Sequence, residues 1–418
     1  MDQQLEGSQA IARAVGLCRP QVISCYPITP QTHIVETLSA MVKDRRLPGC
    51  EFINVESEFS ALSVLIGASA VGARTYTATA SQGLLFMAEA VYNAAGLGLP
   101  LVMTIGNRAI GAPINIWNDH SDSMAMRDAG WIQLYASSNQ EAVDLHIQAF
   151  RLAEELSCPV MVCVDGFVLT HAFERVRLPE QEEVDRFLPP YDPVQVLDPA
   201  DPLSIGAMVG PEAFYEVRYL AHQKQLKALE LIPQLQQEYE ALTGRASGGL
   251  LHGYHHEDAE LIMVALGSET GTLMDVVDEL RGEGLRVGCI DLCAFRPFPY
   301  DALRELLQSA RSIVSIEKNL SVGQGGVVAG NISRAVRGRE VSIHTVIAGL
   351  GGRPVTRASV KQLIKRIFSE GELEEPYFLD LKRDVVDREL TRQHEKRRSG
   401  PVAENIIRDL ALTGGARE

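Results

Sequence analysis

The feature that most constrains this chain is its alternation of helical and extended segments. Residues 9–17 carry a helical pattern, 22–25 an extended one, 31–43 helical, 52–55 extended, 56–72 helical and 75–80 extended. The order continues with a helix at 84–95, a strand at 101–105, a long loop, a strand at 131–135, a helix at 141–156 and a strand at 159–164. Such alternation predicts an α/β fold whose parallel sheet is covered by helices on both faces. Ligands of such sheets bind beyond the carboxyl ends of the strands.

The rhythm breaks after residue 170. A proline-bearing acidic stretch, LPEQEEVDRFLPPYDPVQVLDP, leads to a helical pattern over 212–242 that reads as a connecting arm rather than a third core. Alternation resumes at Glu260 with LIMVAL, the turn GSETG, LRVGCIDL, SIVSIE and VSIHTVIAGL. The expected organisation is therefore an α/β domain over 1–170, a linker with a long helix over 171–257, and a second parallel-sheet domain over 258–370. The mixed charges of 371–418 predict a tail that wraps a partner or stays loose.

Lys and Arg number 39 against 54 Asp and Glu, a formal charge of −15. An acidic surface repels nucleic acid and anionic lipid, so neither is an expected partner. No run of about 20 uninterrupted apolar residues predicts a membrane span. The N-terminal MDQQLEGSQA has no apolar core and reads as no secretory signal, and the seven cysteines lie mostly in apolar runs without a CxxC pair. Reduced core thiols in a cytoplasmic protein are expected, with any redox centre on another chain.

Three segments offer chemistry. Tyr26-Pro27-Ile28-Thr29-Pro30 leaves a strand and enters a helix. Pro30 suits a first helical turn, and Thr29 either caps that helix or offers its hydroxyl to a bound anion. Glu56-Ser57-Glu58 falls at a strand-to-helix junction before ALSVLIGASAVGA. These carboxylates are either partners of the helix dipole or, since the helix they enter is apolar, partly buried groups able to share a proton with a cofactor nitrogen. The loop from Asn107 to Asp122 contains Arg108 at a strand end, which either clamps a carboxylate or pairs with Asp119 or Asp122. His120 has no second histidine at ligand spacing, so no metal site is assigned.

Three motifs are missing from the sequence. Gly323-Gln324-Gly325-Gly326 has Val328 where a dinucleotide fingerprint needs its third glycine. There is no GxxxxGK[ST] loop, and no G-D-G motif for a magnesium diphosphate.

Over nearly its whole length the sequence resembles the alpha subunit of the 2-oxoacid:ferredoxin oxidoreductases, most nearly the pyruvate-using branch. The resemblance rests on Tyr26 to Pro30, on Glu56-Ser57-Glu58, and on the run from Asn107 through Asn115-Ile116-Trp117-Asn118-Asp119-His120 to Gly130-Trp131-Ile132-Gln133. Tyr215-Glu216-Val217-Arg218-Tyr219, Phe295-Arg296-Pro297-Phe298-Pro299 and Gly349-Leu350-Gly351-Gly352-Arg353 add to it.

The resemblance implies that the first domain binds the pyrimidine of thiamine diphosphate and that the second resembles the transketolase C-terminal domain. A beta subunit would supply Mg2+, the diphosphate site and a [4Fe-4S] cluster. Separate gamma and delta subunits would contact coenzyme A and carry further clusters, and ferredoxin or flavodoxin would exchange the electrons. It places the cofactor-activating glutamate at Glu58, cofactor contacts at Pro27 and Ile28, and the substrate carboxylate at Thr29 and Arg108. The implied reaction is reversible conversion of pyruvate and coenzyme A to acetyl-CoA and CO2. Alternatives are the same chemistry on 2-oxoglutarate, 2-oxoisovalerate or oxalate, a transketolase-like enzyme without clusters, and a non-catalytic scaffold subunit.

Overall fold

The computed structural model describes residues 2–395 and 400–414. Two sheets organise it. The first has seven strands in the spatial order Ala294–Arg296, Ile132–Ala136, Val160–Asp165, Leu101–Asn107, Thr75–Thr79, Val22–Cys25, Glu51–Asn54. All its pairings are parallel except that of Ala294–Arg296 with Ile132–Ala136. The central strands are buried along their whole length, as near-continuous apolar runs require.

The second sheet runs Tyr377–Phe378, Ser342–Ile347, Ser312–Glu317, Leu261–Ala265, Val287–Asp291, His252–Tyr254, with only the last strand antiparallel. A two-stranded ribbon pairs Asp2–Glu6 with Phe173–Arg177. Local capping agrees with the sequence at several helices: Ser138 caps Asn139–Leu156, Ser57 caps Glu58–Ala70 and Thr356 caps Arg357–Glu370, each accepting a backbone N–H.

The connecting arm is a 33-residue helix, Pro211–Thr243, with Pro233 inside it. Its buried residues, Ala228, Ile232, Leu235, Tyr239 and Thr243, all belong to its second half. That half is fixed to the first sheet's helix Asn139–Leu156, where Tyr239 donates to Asp144 at 2.6 Å and Arg245 pairs with the same carboxylate at 2.7 Å. In the first half Phe214, Tyr215, Tyr219 and Leu220 are exposed. Beyond residue 370, Tyr377–Phe378 extends the second sheet and helices Arg383–His394 and Val402–Gly414 follow, joined by the Arg392–Asp409 pair at 2.9 Å. Residues 396–399 and 415–418 of the charged tail lie outside the described residues. None of the described helices is long and apolar enough to cross a membrane. All seven cysteines are buried and free.

The sheets meet through ionised groups as well as apolar ones. Lys318 lies 2.7 Å from Asp165 at the end of a first-sheet strand and 2.8 Å from Glu269, which opens a second-sheet helix. His120 bonds the other oxygen of Asp165 at 2.7 Å. Burial works to raise Asp165, yet Lys318 and His120 hold it well below the usual carboxylate range.

A second cluster joins the buried Glu141 and Asp291 with the half-buried His252. Burial and the charge of Glu141 push Asp291 up to about 8, partly opposed by His252. An acid raised on folding stabilises the fold below its unfolded value, and that stabilisation is lost as pH climbs through the folded value. The wild-type thermal midpoint should therefore fall between about pH 4 and about pH 8 more steeply than that of Asp291→Asn, which cannot ionise. Parallel midpoint curves for the two proteins would refute this.

Candidate active site at the carboxyl edge of the first sheet

Three loops converge beyond the carboxyl ends of the first sheet's central strands. The first follows Val22–Cys25. Its helix starts at Thr32, with Gln31 ahead of it and no side-chain cap, so Pro30 precedes the helical turn and Thr29 is exposed instead of capping. The cause is tertiary. The amide of the fully buried Gln31 donates to the carbonyls of Tyr26 at 2.9 Å and Ala78 at 3.2 Å, pinning the loop to the neighbouring strand. Gly166 completes the seat: a Cβ there would lie 2.6 Å from the Pro30 ring and 2.4 Å from the Asn107 carbonyl.

The second element separates the two carboxylates of the Glu-Ser-Glu motif. Glu56 stays outside the helix and accepts from Ser60. Glu58, the first helical residue, is 7% exposed, and no side-chain hydrogen bond or ion pair reaches its carboxylate among the described residues. Its neighbour is Gly83, where a Cβ would fall 2.6 Å from Glu58 Oε1 and 2.6 Å from Thr79 Oγ1. Thr79 Oγ1 is itself buried without a partner. A buried carboxylate and an orphaned hydroxyl flanking a missing side chain make a polar cradle that the protein does not fill.

The third element is the loop after Leu101–Asn107. Asp122 anchors it, accepting from the backbone N–H of Ser81 at 2.9 Å, Arg108 at 3.0 Å and Ser123 at 2.7 Å, and from the Asn107 amide at 2.8 Å. Ser81 Oγ also donates to the Ala109 carbonyl at 2.6 Å. The Arg108 guanidinium pairs with neither aspartate. It donates through Nε to the Asn115 carbonyl at 3.0 Å and through Nη1 to the Thr29 carbonyl at 3.0 Å, leaving Nη2 without a protein partner among the described residues. Arg108 and Thr29 are thus brought together across two loops. His120 is committed to Asp165 and is no candidate ligand. Asn115 and Asp119 reach Gly351 of the second domain at 3.1 Å each, so both domains shape the loop.

Sequence reasoning passed over Thr79-Ala80-Ser81-Gln82-Gly83, which carries much of this geometry. A signal was present: a strand ending in Ser and Gly before a helix, where Ser81 adopts φ 47°. Positive φ at a non-glycine residue is uncommon and clusters at functional turns.

Pro27 is exposed and Ile28 half-buried on the first loop. The donor set accordingly suits a nitrogen heterocycle beside Glu58 and an anionic group beside Arg108. Removing the Asp122 anchor should open the loop. Asp122→Ala is expected to cost about 2–4 kcal/mol, because buried N–H groups lose their acceptor, and to speed limited proteolysis between residues 108 and 120. Unchanged cleavage would contradict the anchoring role.

Comparison with known proteins identifies the family. Residues 13–238 match the family described as pyruvate flavodoxin/ferredoxin oxidoreductase, thiamine diP-binding, and residues 259–360 match pyruvate:ferredoxin oxidoreductase core domain II. The pyruvate synthase subunit PorA of Methanosarcina barkeri is 46% identical over 91% of this chain and 97% of its own. The ketoisovalerate oxidoreductase subunit VorA of Pyrococcus abyssi is 38% identical over 88% and 95%. A solved 2-oxoglutarate:ferredoxin oxidoreductase from Magnetococcus marinus, described with 2-oxoglutarate, coenzyme A and succinyl-CoA bound, has the same fold. It aligns with a TM-score of 0.66 at 17% identity, over 87% of this chain and 65% of that one. On these matches the chain belongs to the pyruvate:ferredoxin/flavodoxin oxidoreductase family, as a counterpart of its thiamine diphosphate-binding PorA-type subunits.

Proposed function

We propose that this chain is the alpha subunit of a pyruvate:ferredoxin oxidoreductase, which converts pyruvate and coenzyme A to acetyl-CoA and CO2, reversibly, with electrons passing to ferredoxin or flavodoxin. The observation that carries this reading is Glu58: a buried carboxylate without a side-chain partner among the described residues, facing a glycine at the carboxyl edge of a parallel sheet.

Thiamine diphosphate, when bound, supplies the nucleophilic carbon that makes decarboxylation of a 2-oxoacid possible. The tasks left to this chain are local. Glu58 holds or shares a proton at the pyrimidine N1′, and Gly83 keeps the space in front of it open. Pro27 and Ile28 form the adjoining loop surface. Arg108 presents its free Nη2 to the substrate carboxylate, and Thr29 adds a hydroxyl beside it. Binding by fixed groups removes the cost of ordering them during the reaction.

A beta subunit supplies Mg2+ and a [4Fe-4S] cluster in this proposal, and gamma and delta subunits supply coenzyme A contacts and further clusters. The missing G-D-G motif and the seven buried free cysteines, none with a CxxC neighbour, fit that division. Pyruvate is favoured over bulkier 2-oxoacids because identity is higher to the PorA-named relative, 46% against 38% for the VorA-named one.

With the complex reconstituted from its subunits, Glu58→Gln should assemble normally and lower kcat by more than about 100-fold. Near-normal turnover would overturn the role of Glu58. Arg108→Lys should raise KM for pyruvate by about tenfold or more, because an ammonium cannot hold both loop carbonyls and still present a donor to the carboxylate, with coenzyme A kinetics unmoved. Gly83→Ala should mimic Glu58→Gln by displacing the carboxylate. Equal rates with pyruvate, 2-oxoglutarate, 2-oxoisovalerate and oxalate would refute the substrate assignment.

A further inference from the structure

A crevice of about 800 Å³ lies on the opposite edge of the first sheet from Glu58. Its floor is formed by Gly130 and Trp131 and by Ser157 and Cys158, which immediately precede the strands Ile132–Ala136 and Val160–Asp165. The Glu58 site lies beyond the carboxyl ends of the same sheet. At about 3.3 Å per residue the strand lengths put roughly 15–20 Å between the two edges. One wall is the long helix Pro211–Thr243, and the other comes from Arg296 to Asp301 together with Arg334.

The charge of this crevice is the reverse of the protein's. Arg127, Arg218, Lys224, Arg296 and Arg334 line it against two carboxylates, Asp128 and Asp301. Both carboxylates are already engaged: Asp128 with Arg127 at 3.7 Å, Asp301 with Arg304 at 2.8 Å. Arg218, Lys224, Arg296 and Arg334 form no ion pair among the described residues. Elsewhere arginines of the chain find carboxylates, as in Arg74–Glu154, Arg245–Asp144 and Arg281–Asp258. Four unpaired cations sharing one cavity in a chain of charge −15 repel one another, and a polyanion removes that repulsion.

Three of the four are held by the walls themselves. Lys224 donates to the Ser157 carbonyl at 3.3 Å, Arg296 lies over the Phe295 ring at 4.2 Å, and Arg334 lies over the Tyr300 ring at 4.5 Å. Burial lowers the Arg296 guanidinium below its ordinary value, and the nearby charge of Asp128 opposes that only in part. Phe298 and Tyr300 meet in a tilted ring contact at 4.8 Å on one side, and Leu226 and Leu229 face the cavity from the helix. The volume falls within the range of small-molecule sites and exceeds what one phosphate fills.

We propose that this crevice binds a nucleoside diphosphate or triphosphate, with phosphates on Arg218, Lys224, Arg296 and Arg334 and the base against the Tyr300 and Leu226 side chains. The site is separate from the Glu58 site and does not depend on the reaction proposed there.

Isothermal titration of the full chain with ADP and with ATP tests it. One saturable site per chain is expected, with affinity falling as salt rises and inorganic phosphate binding far more weakly. Arg218→Gln combined with Arg334→Gln changes two exposed side chains; it should weaken ADP at least tenfold while leaving the thermal midpoint in place. The same binding should persist in the assembled complex. Absence of saturable nucleotide binding, or unchanged affinity in the double variant, would overturn the proposal. So would loss of binding on assembly, which would make the crevice a subunit contact. Binding of polyglutamate that ADP fails to displace would overturn it in favour of an acidic peptide surface.

Discussion

The buried ion cluster of Lys318, Asp165, His120 and Glu269 is the interaction on which the rest of the architecture depends. Each of these four side chains is at most 7% exposed, so none can be stabilised by water in place of the others. Asp165 ends a strand of the first sheet, Lys318 follows a strand of the second, and His120 closes the long loop. A single set of charges thus fixes the relation of both sheets and the far end of the loop that carries Arg108. Removing one member leaves an uncompensated charge in a dry interior, which costs far more than an exposed pair of the same geometry returns. The backbone repeats the link, since the His120 N–H donates to the Lys318 carbonyl at 2.7 Å.

From that frame the functional edge follows by short contacts. Asp122 binds the loop to Ser81 and Arg108, Ser81 is continuous with Gly83, and Gly83 leaves Glu58 its open face. The proposed function assigns the chemistry to one carboxylate and one guanidinium, and their placement uses residues from several strands and from both domains. A chain that carries no diphosphate motif can still belong to a thiamine diphosphate-binding family, and in the function proposed above it contributes a shaped half of a site. Glu317 illustrates the opposite use of a buried acid. It accepts three backbone N–H bonds from residues 327 to 329 and so serves only to cap a helix.

Much of the fold was legible in the sequence. Period and segment length separate buried parallel strands from their covering helices, and the arm showed as a long helical pattern over 212–242 with few breakers, Pro233 among them. The site was legible in part. Thr29, the Glu56 and Glu58 pair and Arg108 stood out as candidates because charged or hydroxyl residues fell at strand ends, while the choice of Glu58 over Glu56 came from the family resemblance. The Thr29 cap was misread, because a helix start is set locally only when no stronger tertiary bond competes, and Gln31 makes two. Thr79 to Gly83 went unnoticed because its importance lies in what Gly83 omits, and an absent Cβ has meaning only against a neighbour distant in sequence.

The pairing of Ala294–Arg296 with the first sheet makes the same point about topology. Three residues bear no period, yet they bridge from the second domain to an edge of the first. What the sequence by itself determined here is the α/β class, the order of elements, the acidic balance and the residue types able to do chemistry. These are consequences of local periodicity and composition. Tertiary structure alone decided which of the two carboxylates of Glu56-Ser57-Glu58 is buried, which groups Arg108 touches, and where four cations gather in an acidic chain. Those outcomes depend on charges and volumes brought together from residues tens to hundreds of positions apart, and only the folded chain sets their distances.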